Sequence, residues 1–417
     1  MGSTVGPTTK GRLPCYSSGG ASRAENRYGK MREVSESVLS VQNEVRPSLD
    51  TTEIAVTGAR IKMSEILTSA SGALARIVLN RPQTLHALTA EMCADMLQAL
   101  LGWRDDDSVR AVLLEHQPGT RGFCAGGDIR MIAESGAGDG KAARDFFFTE
   151  YRLNHLLFHY PKPVIAFLDG ITMGGGVGIS MPARFRVATE NTTYAMPETG
   201  IGLFPDVGGG WYLPRKPGEI GMWLALTGAR IKAADCIEAG IATHYMPAAK
   251  LDAARAQIAG AADSHDAGRT VASRLDALSE SPGAPKELAP ESVARINRIF
   301  RGESVEAILA ALEKDGSNWA RAQLETVAAK SPQALKVSFR QLREGARMQS
   351  FAHQMRQEFR IAVRVSKRHD FIEGVRALLV DKDNSPKWDP PTLAGVTDAM
   401  VDEIFAPLEV GEEWSPL

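Results

Sequence analysis

Four cysteines in 417 residues, Cys15, Cys93, Cys124 and Cys236, never stand in a Cys-x-x-Cys pair. That scatter excludes a disulfide framework and a cysteine-type zinc site, and it fits a reducing compartment. The eight histidines include no His-Glu-x-x-His, so no metal and no metal ligands are expected. No apolar run reaches the ~20 residues that a membrane span needs. A net charge of only −2 gives no electrostatic basis for binding nucleic acid or an anionic membrane. A Gly-x-Gly-x-x-Gly dinucleotide turn, a Gly-Lys-Ser/Thr phosphate loop, a repeat of fixed period and a coiled-coil seam are all absent as well.

What remains is 44% hydrophobic and 24% charged residues, an ordinary soluble composition. The segment 1–62 reads as a separate extension. Its start, MGSTVGPTTKGRLPCYSSGGASRA, has no acidic residue, several Ser and Thr, and Lys10, Arg12 and Arg23. Such a composition suits a disordered tail or an organelle transit peptide, or else marks an upstream start before a true first residue at Met63.

Periodic sequence begins near Met63. EILTSA, SG and ALARIVLN predict strand, turn and strand. Thr89 is placed to cap a helix over AEMCADMLQALLGW. RAVLLEH, PKPVIAFLDG and FRVAT predict short buried strands, with helical stretches such as ARDFFFTEYRLNHLLFHY between them. Strands alternating with helices predict an α/β core over 63–248. Beyond it the pattern is helical, so 249–417 is expected to be a helical C-terminal region, with a Pro- and Ser-rich linker at Leu278 to Ser292.

Two glycine-rich stretches, GFCAGGDIRMI (Gly122 to Ile132) and DGITMGGGVGISM (Asp169 to Met181), each follow a strand and precede a helix. Chain without Cβ atoms turns sharply and leaves N–H groups unpaired, and a helix N-terminus favours negative charge. Two such turns brought together would hold an oxyanion between two donors. Cys124 beside the first turn has no histidine partner nearby in sequence and reads as a buried structural thiol. A third stretch, AMPETGIGLFPDVGGG (Ala195 to Gly210), sets Glu198 and Asp206 among glycines, prolines and apolar residues. A carboxylate in such surroundings has its proton affinity raised toward the range useful for proton transfer.

With these segments, and with LTGARIKAADCIEAGIATHY, SPQALKVSFRQLREG and HDFIEGVRALLVDKDNSPKW, the chain resembles the crotonase (enoyl-CoA hydratase/isomerase) superfamily from about Glu65 to Asp389. FPDVGGG and DKDNSPKW resemble its acyl-CoA hydrolase branch. The resemblance implies an α/β fold, a ββα spiral core followed by a helical C-terminal region. It implies an oxyanion hole at the N–H groups of Gly127 and Gly175, Glu198 as catalytic acid/base or nucleophile, and Asp206 as a second catalytic acid. Glu150, Gly175, Glu198 and Asp206 would bind an acyl-CoA substrate. From the residues alone, Glu150 in FFFTEYRLN reads as part of a solvated helix face. LHAL (Leu85 to Leu88) aligns with a segment that lines the CoA nucleotide in crotonases.

One position separates the branches. Hydratases of this family pair two glutamates, and the first of their places is held here by Gly178. The expected reaction is therefore thioester hydrolysis, with two rivals: an enoyl-CoA hydratase or isomerase, and a silent crotonase fold acting as a binding subunit. No cofactor is implied, since CoA belongs to the substrate. A homo-oligomer is expected from the family's habit of assembling through its C-terminal helices. The compartment implied is the cytoplasm in a bacterium or the mitochondrial matrix in a eukaryote.

Overall fold

A short hairpin opens the described chain. Strand β1 (Ile66–Ser71) pairs antiparallel with β2 (Leu74–Leu79), and Gly72 takes the positive φ of +57° that the turn requires. The turn is Gly72–Ala73, one residue later than the sequence pattern places it, because Ser71 still pairs with Leu74. The computed structural model describes residues 64–417; the extension expected for 1–62 lies outside the described residues.

From β2 the sheet continues in parallel through β3 (Ala111–His116), β5 (Val164–Leu168), β7 (Phe185–Ala188) and β9 (His244–Tyr245). The interior strands β3 and β5 are buried at every residue, which is why they read as unbroken apolar runs. Alternate side chains divide between two faces. Ile77, Leu79, Val112, Leu114 and Leu168 meet Met92, Met96 and Leu100 of the helix Ala90–Arg104. That helix starts as expected, with the Thr89 hydroxyl accepting from Met92 N. Leu74, Leu113, Ile165, Phe167 and Val187 meet the other face, covered by the helices Leu251–Ala262 and Ala267–Leu278.

A second sheet of three short parallel strands has the order β4 (Gly122–Cys124), β6 (Ile171–Met173), β8 (Thr193–Ala195). After β9 every regular element described is helical. Among these, Pro332–Gly345, Phe351–Val365 and His369–Val375 fold back over the turns that leave the small sheet.

Candidate active site

The small sheet brings three turns to one edge. Cys124 is in register with Thr172, and Met173 with Ala195, so β4, β6 and β8 all end on the same side. The chain leaving β4 runs through Gly126 (φ +125°) and Gly127, then into the helix Ile129–Gly136, where Asp128 accepts from Met131 N. The chain leaving β6 turns at Gly174 (φ +45°) and enters the helix Gly175–Ser180. The chain leaving β8 passes Met196 and Pro197 into a single 3-10 turn, Glu198–Ile201.

The first two turns touch. A Cβ placed on Gly174 would lie 3.2 Å from Gly126 Cα, and one on Gly175 would lie 3.2 Å from the Gly126 carbonyl carbon. A Cβ on Gly176 would overlap the Cys124 carbonyl. Glycine is thus needed for close backbone approach. The amides of Gly127 and Gly175 donate to no backbone acceptor among the described residues, and Gly175 sits at a helix N-terminus, where amides lack intrahelical partners. LHAL runs alongside: Leu88 N donates to Gly126 O at 2.8 Å, and Leu88 O accepts from Asp128 N at 2.9 Å. Leu85 and His86 both hold positive φ.

Three carboxyls converge here, all buried. Glu198 Oε1 lies 3.4 Å from the place of a Cβ on Gly174, and its Oε2 has no hydrogen-bond partner. Glu150 Oε1 lies 2.7 Å from the place of a Cβ on Gly175, also without a partner. The residues alone suggested a solvated face for Glu150, and the structure corrects this. Phe146, Phe147, Tyr151, Leu153, Leu156 and Leu157 of the helix Lys141–Phe158 are buried on most of its sides, and its central acid is buried with them. Asp206 accepts from the Tyr151 hydroxyl at 2.9 Å.

Desolvation sets the proton affinities. Burial, and next the Asp206 charge, push Glu198 and Glu150 well above the usual carboxylate range. Burial pushes Asp206 up to about 7, against the opposing pull of the Tyr151 hydrogen bond. Like charges this close cannot all be ionised, so the group holds protons at neutral pH and can both give and take them.

Sequence reasoning missed three residues of this neighbourhood. Tyr151 and Asn154 share the Glu150 helix, and Asn154 is wholly buried with neither side-chain polar atom partnered. Glu358, on the helix Phe351–Val365, accepts from the backbone of the turn that follows Asp206. The signal for Glu150 and Glu358 was available: a lone acid on an apolar helix face. Cys124 is the structural thiol expected. Its Sγ donates to His86 O at 3.1 Å, and burial pushes its thiol up to about 12.

Gly178 is closed rather than merely empty. A Cβ there would lie 2.6 Å from Val207 Cβ and 2.9 Å from Asn154 Nδ2. No side chain enters without displacing the residue next to Asp206.

Residues 74–405 match the sequence profile of the family described as enoyl-CoA hydratase/isomerase. The chain is 45% identical to the mitochondrial 3-hydroxyisobutyryl-CoA hydrolase of Danio rerio, over 83% of this chain and 90% of that one. It is 38% identical to a probable 3-hydroxyisobutyryl-CoA hydrolase of Arabidopsis thaliana, over 85% and 94%. Among solved structures it resembles one described as a carnitinyl-CoA dehydratase from Mycobacterium thermoresistibile, with a TM-score of 0.78 and 41% identity over 83% of this chain and 98% of that one. One described as an enoyl-CoA hydratase from Rhodobacter sphaeroides gives a TM-score of 0.76 and 35% identity, over 84% and 100%.

Proposed function

The chain belongs to the enoyl-CoA hydratase/isomerase family, and on that premise we propose that it hydrolyses 3-hydroxyisobutyryl-CoA to 3-hydroxyisobutyrate and CoA, a step of valine breakdown. The observation that carries hydrolysis over hydration is the closed position at Gly178, where a Cβ would lie 2.6 Å from Val207 Cβ. Adding water across a double bond in this family uses a second glutamate at that place. Cleaving a thioester needs an oxyanion site, one group to activate the attack, and a proton for the leaving thiolate. The names of the curated relatives agree with this choice, and the hydratase and dehydratase names of the solved neighbours do not. Gly178 supports the first.

In this reading the thioester oxygen lies between Gly127 N–H and Gly175 N–H, where each donor contributes ~3–4 kcal/mol to the transition state. Glu198 starts the reaction, either by taking a proton from water that attacks the carbonyl carbon or by attacking that carbon itself. On the first route the tetrahedral intermediate collapses with loss of CoA thiolate, which takes a proton from the acid cluster. On the second, the Glu198 adduct expels CoA thiolate, which takes a proton from the acid cluster, and water then attacks the Glu198 carbonyl carbon of the acyl–Glu198 anhydride and releases the product carboxylate. Single turnover in 18O-water separates the routes, because label enters the Glu198 carboxyl only when water attacks the Glu198 carbonyl of the anhydride on the second. Glu150 and Asp206 hold the 3-hydroxyl of the substrate. The bound molecule is the acyl-CoA, and assembly into a homo-oligomer through the C-terminal helices is part of the reading. So is the compartment: the cytoplasm of a bacterium or the mitochondrial matrix of a eukaryote.

The test follows free thiol release from 3-hydroxyisobutyryl-CoA in the wild type, Glu198→Gln and Asp206→Asn, with crotonyl-CoA absorbance as control. Fast release that collapses in both variants is expected. Loss of crotonyl absorbance without thiol release would sink the hydrolase in favour of a hydratase. Inertness toward both substrates would favour a silent binding subunit. Isobutyryl-CoA, lacking the hydroxyl, is expected to be poorer by roughly 10²-fold or more in kcat/KM, since the buried acids that bind the hydroxyl are left unpaired.

A further inference from the structure

The turn that carries Asp206 is held from behind by the C-terminal helices. Glu358 Oε2 accepts from Gly208 N at 2.7 Å, and its Oε1 accepts from Gly210 N at 3.0 Å. Gln341 Nε2 and Gln354 Nε2 each donate to the same Oε1 at 3.1 Å. Gln341 Nε2 also donates to Pro205 O at 2.9 Å. The segment 205–210 is thus fixed at three backbone atoms, on both sides of Asp206, by side chains that lie more than 130 residues further along the chain.

The glycine run of PDVGGG follows from this grip. Gly208 has φ +90°, and a Cβ on it would lie 2.8 Å from the Tyr212 ring. A Cβ on Gly210 would overlap Gln354 Nε2 and lie 2.9 Å from Gln341 Nε2. Only bare backbone comes near enough for its N–H groups to reach the carboxyl. Val207, between Asp206 and Gly208, is held at φ +52°, a conformation that costs a β-branched residue ~1–2 kcal/mol and persists only where surrounding contacts impose it.

Glu358 is a costly way to build a turn. It is fully buried and has no lysine or arginine partner among the described residues. Burial, with the nearby Asp206 charge, raises its proton affinity, and the N–H donors of Gly208, Gly210 and Gln354 oppose that rise. A carboxyl without a counter-ion is expensive to bury, and a neutral or apolar side chain would close the same space more cheaply. The two oxygens of a carboxyl do what those cannot, since they accept the N–H groups of Gly208 and Gly210 at once.

We propose that Glu358 is a positioning residue which, through Gly208, Gly210 and Gln341, aims the Asp206 carboxyl at the 3-hydroxyl of the substrate, so that the C-terminal helices take part in substrate discrimination. The inference rests on the hydrolase reading, in which Asp206 binds that hydroxyl. Losing the grip frees Val207 to leave its positive φ and turns Asp206 away from the substrate, while the Gly127–Gly175 donors and Glu198 stay on their own strand ends.

The experiment measures kcat/KM for 3-hydroxyisobutyryl-CoA and for isobutyryl-CoA in wild type, Glu358→Gln and Gln341→Met. In Glu358→Gln one amide NH2 must face a donor, so the two-point grip is lost. Activity on the hydroxylated substrate is expected to fall roughly 10- to 100-fold, as for other displaced groups near the chemistry. Activity on isobutyryl-CoA is expected to fall by a smaller factor, because there the displaced Asp206 costs only its share of the proton supply and no hydroxyl contact, so the preference narrows. Gln341→Met, which cuts the Pro205 contact and one amide bond to Glu358 but leaves both Glu358 bonds to the turn backbone, shows the same narrowing at smaller size and decides the question should Glu358→Gln not fold. A proportional loss on both substrates shows a merely structural role and overturns the proposal, as does an unchanged ratio. No thiol release by the wild type from 3-hydroxyisobutyryl-CoA overturns the hydrolase reading first, and this inference with it.

Discussion

The hydroxyl of Tyr151 donates to Asp206 Oδ2 across 2.9 Å, with both side chains buried. This bond favours the ionised carboxyl and opposes the rise that burial imposes, which brings Asp206 up to about 7. Tyr151→Phe removes the bond and keeps the ring. The pH limb owed to Asp206 is expected to move upward, by about one unit, and kcat/KM to fall roughly tenfold, the usual worth of a hydrogen bond to a charged group. A pH–rate profile of the variant checks both, and a limb that stays in place would separate Tyr151 from the titration of Asp206.

A second prediction concerns stability. An isolated Asp titrates near 3.8, whereas Asp206 in the folded chain sits at about 7. The folded state therefore binds this proton more tightly than the unfolded state, and stability is lost as pH rises between those two values. Below the lower value neither state gains, and above the higher one the cost is constant. Asp206→Asn removes the dependence. Its stability relative to wild type is expected to increase from pH 4 to pH 7 by up to ~1.4 kcal/mol per unit and then to level off. Denaturant midpoints at several pH values test this, and a difference that shrinks as pH rises contradicts it.

How far the chain could be read in advance depended on periodicity. The long strands and the helix capped by Thr89 announce themselves through apolar spacing, and the structure places their ends within three residues of expectation. Strands β4, β6 and β8 have three residues each, too few for an alternation to show, yet they bring the three turns together. Their glycines signalled close backbone approach without saying to what. Glu150 and Glu358 showed only as lone acids on apolar helix faces, a signal that becomes burial only once the elements packed against those faces are known. Tyr151 and Asn154 carry no signal beyond the company of Glu150, one and four residues away on the same helix.

The turn proposed to hold the thioester oxygen offers a third prediction. A Cβ on Gly175 would lie 2.7 Å from Glu150 Oε1, 3.0 Å from Leu88 Cδ1 and 3.2 Å from the Gly126 carbonyl carbon. Two of those neighbours can shift and the backbone cannot, so Gly175→Ala pushes the two turns apart. Thiol release is expected to drop by roughly 10²–10³-fold, the size of one lost oxyanion donor. Adding Glu150→Ala relieves one contact but restores no activity. Near-wild-type rates in Gly175→Ala would mean that the thioester oxygen binds elsewhere.

The fourth prediction tests the branch point directly. Restoring the hydratase acid with Gly178→Glu puts a Cβ 2.6 Å from Val207 Cβ and 2.9 Å from Asn154 Nδ2. Overpacking of this kind costs ~1–3 kcal/mol, and the strain falls on the residue beside Asp206. The variant is expected to melt earlier, to lose most thiol release and to leave crotonyl-CoA untouched. Val207→Gly in the same chain should recover stability twice over, because it clears the space and because glycine holds φ +52° without penalty. A single Gly178→Glu variant as stable as wild type that also hydrates crotonyl-CoA would show that the glycine closes nothing. The preference for hydrolysis would then have to come from the acids alone.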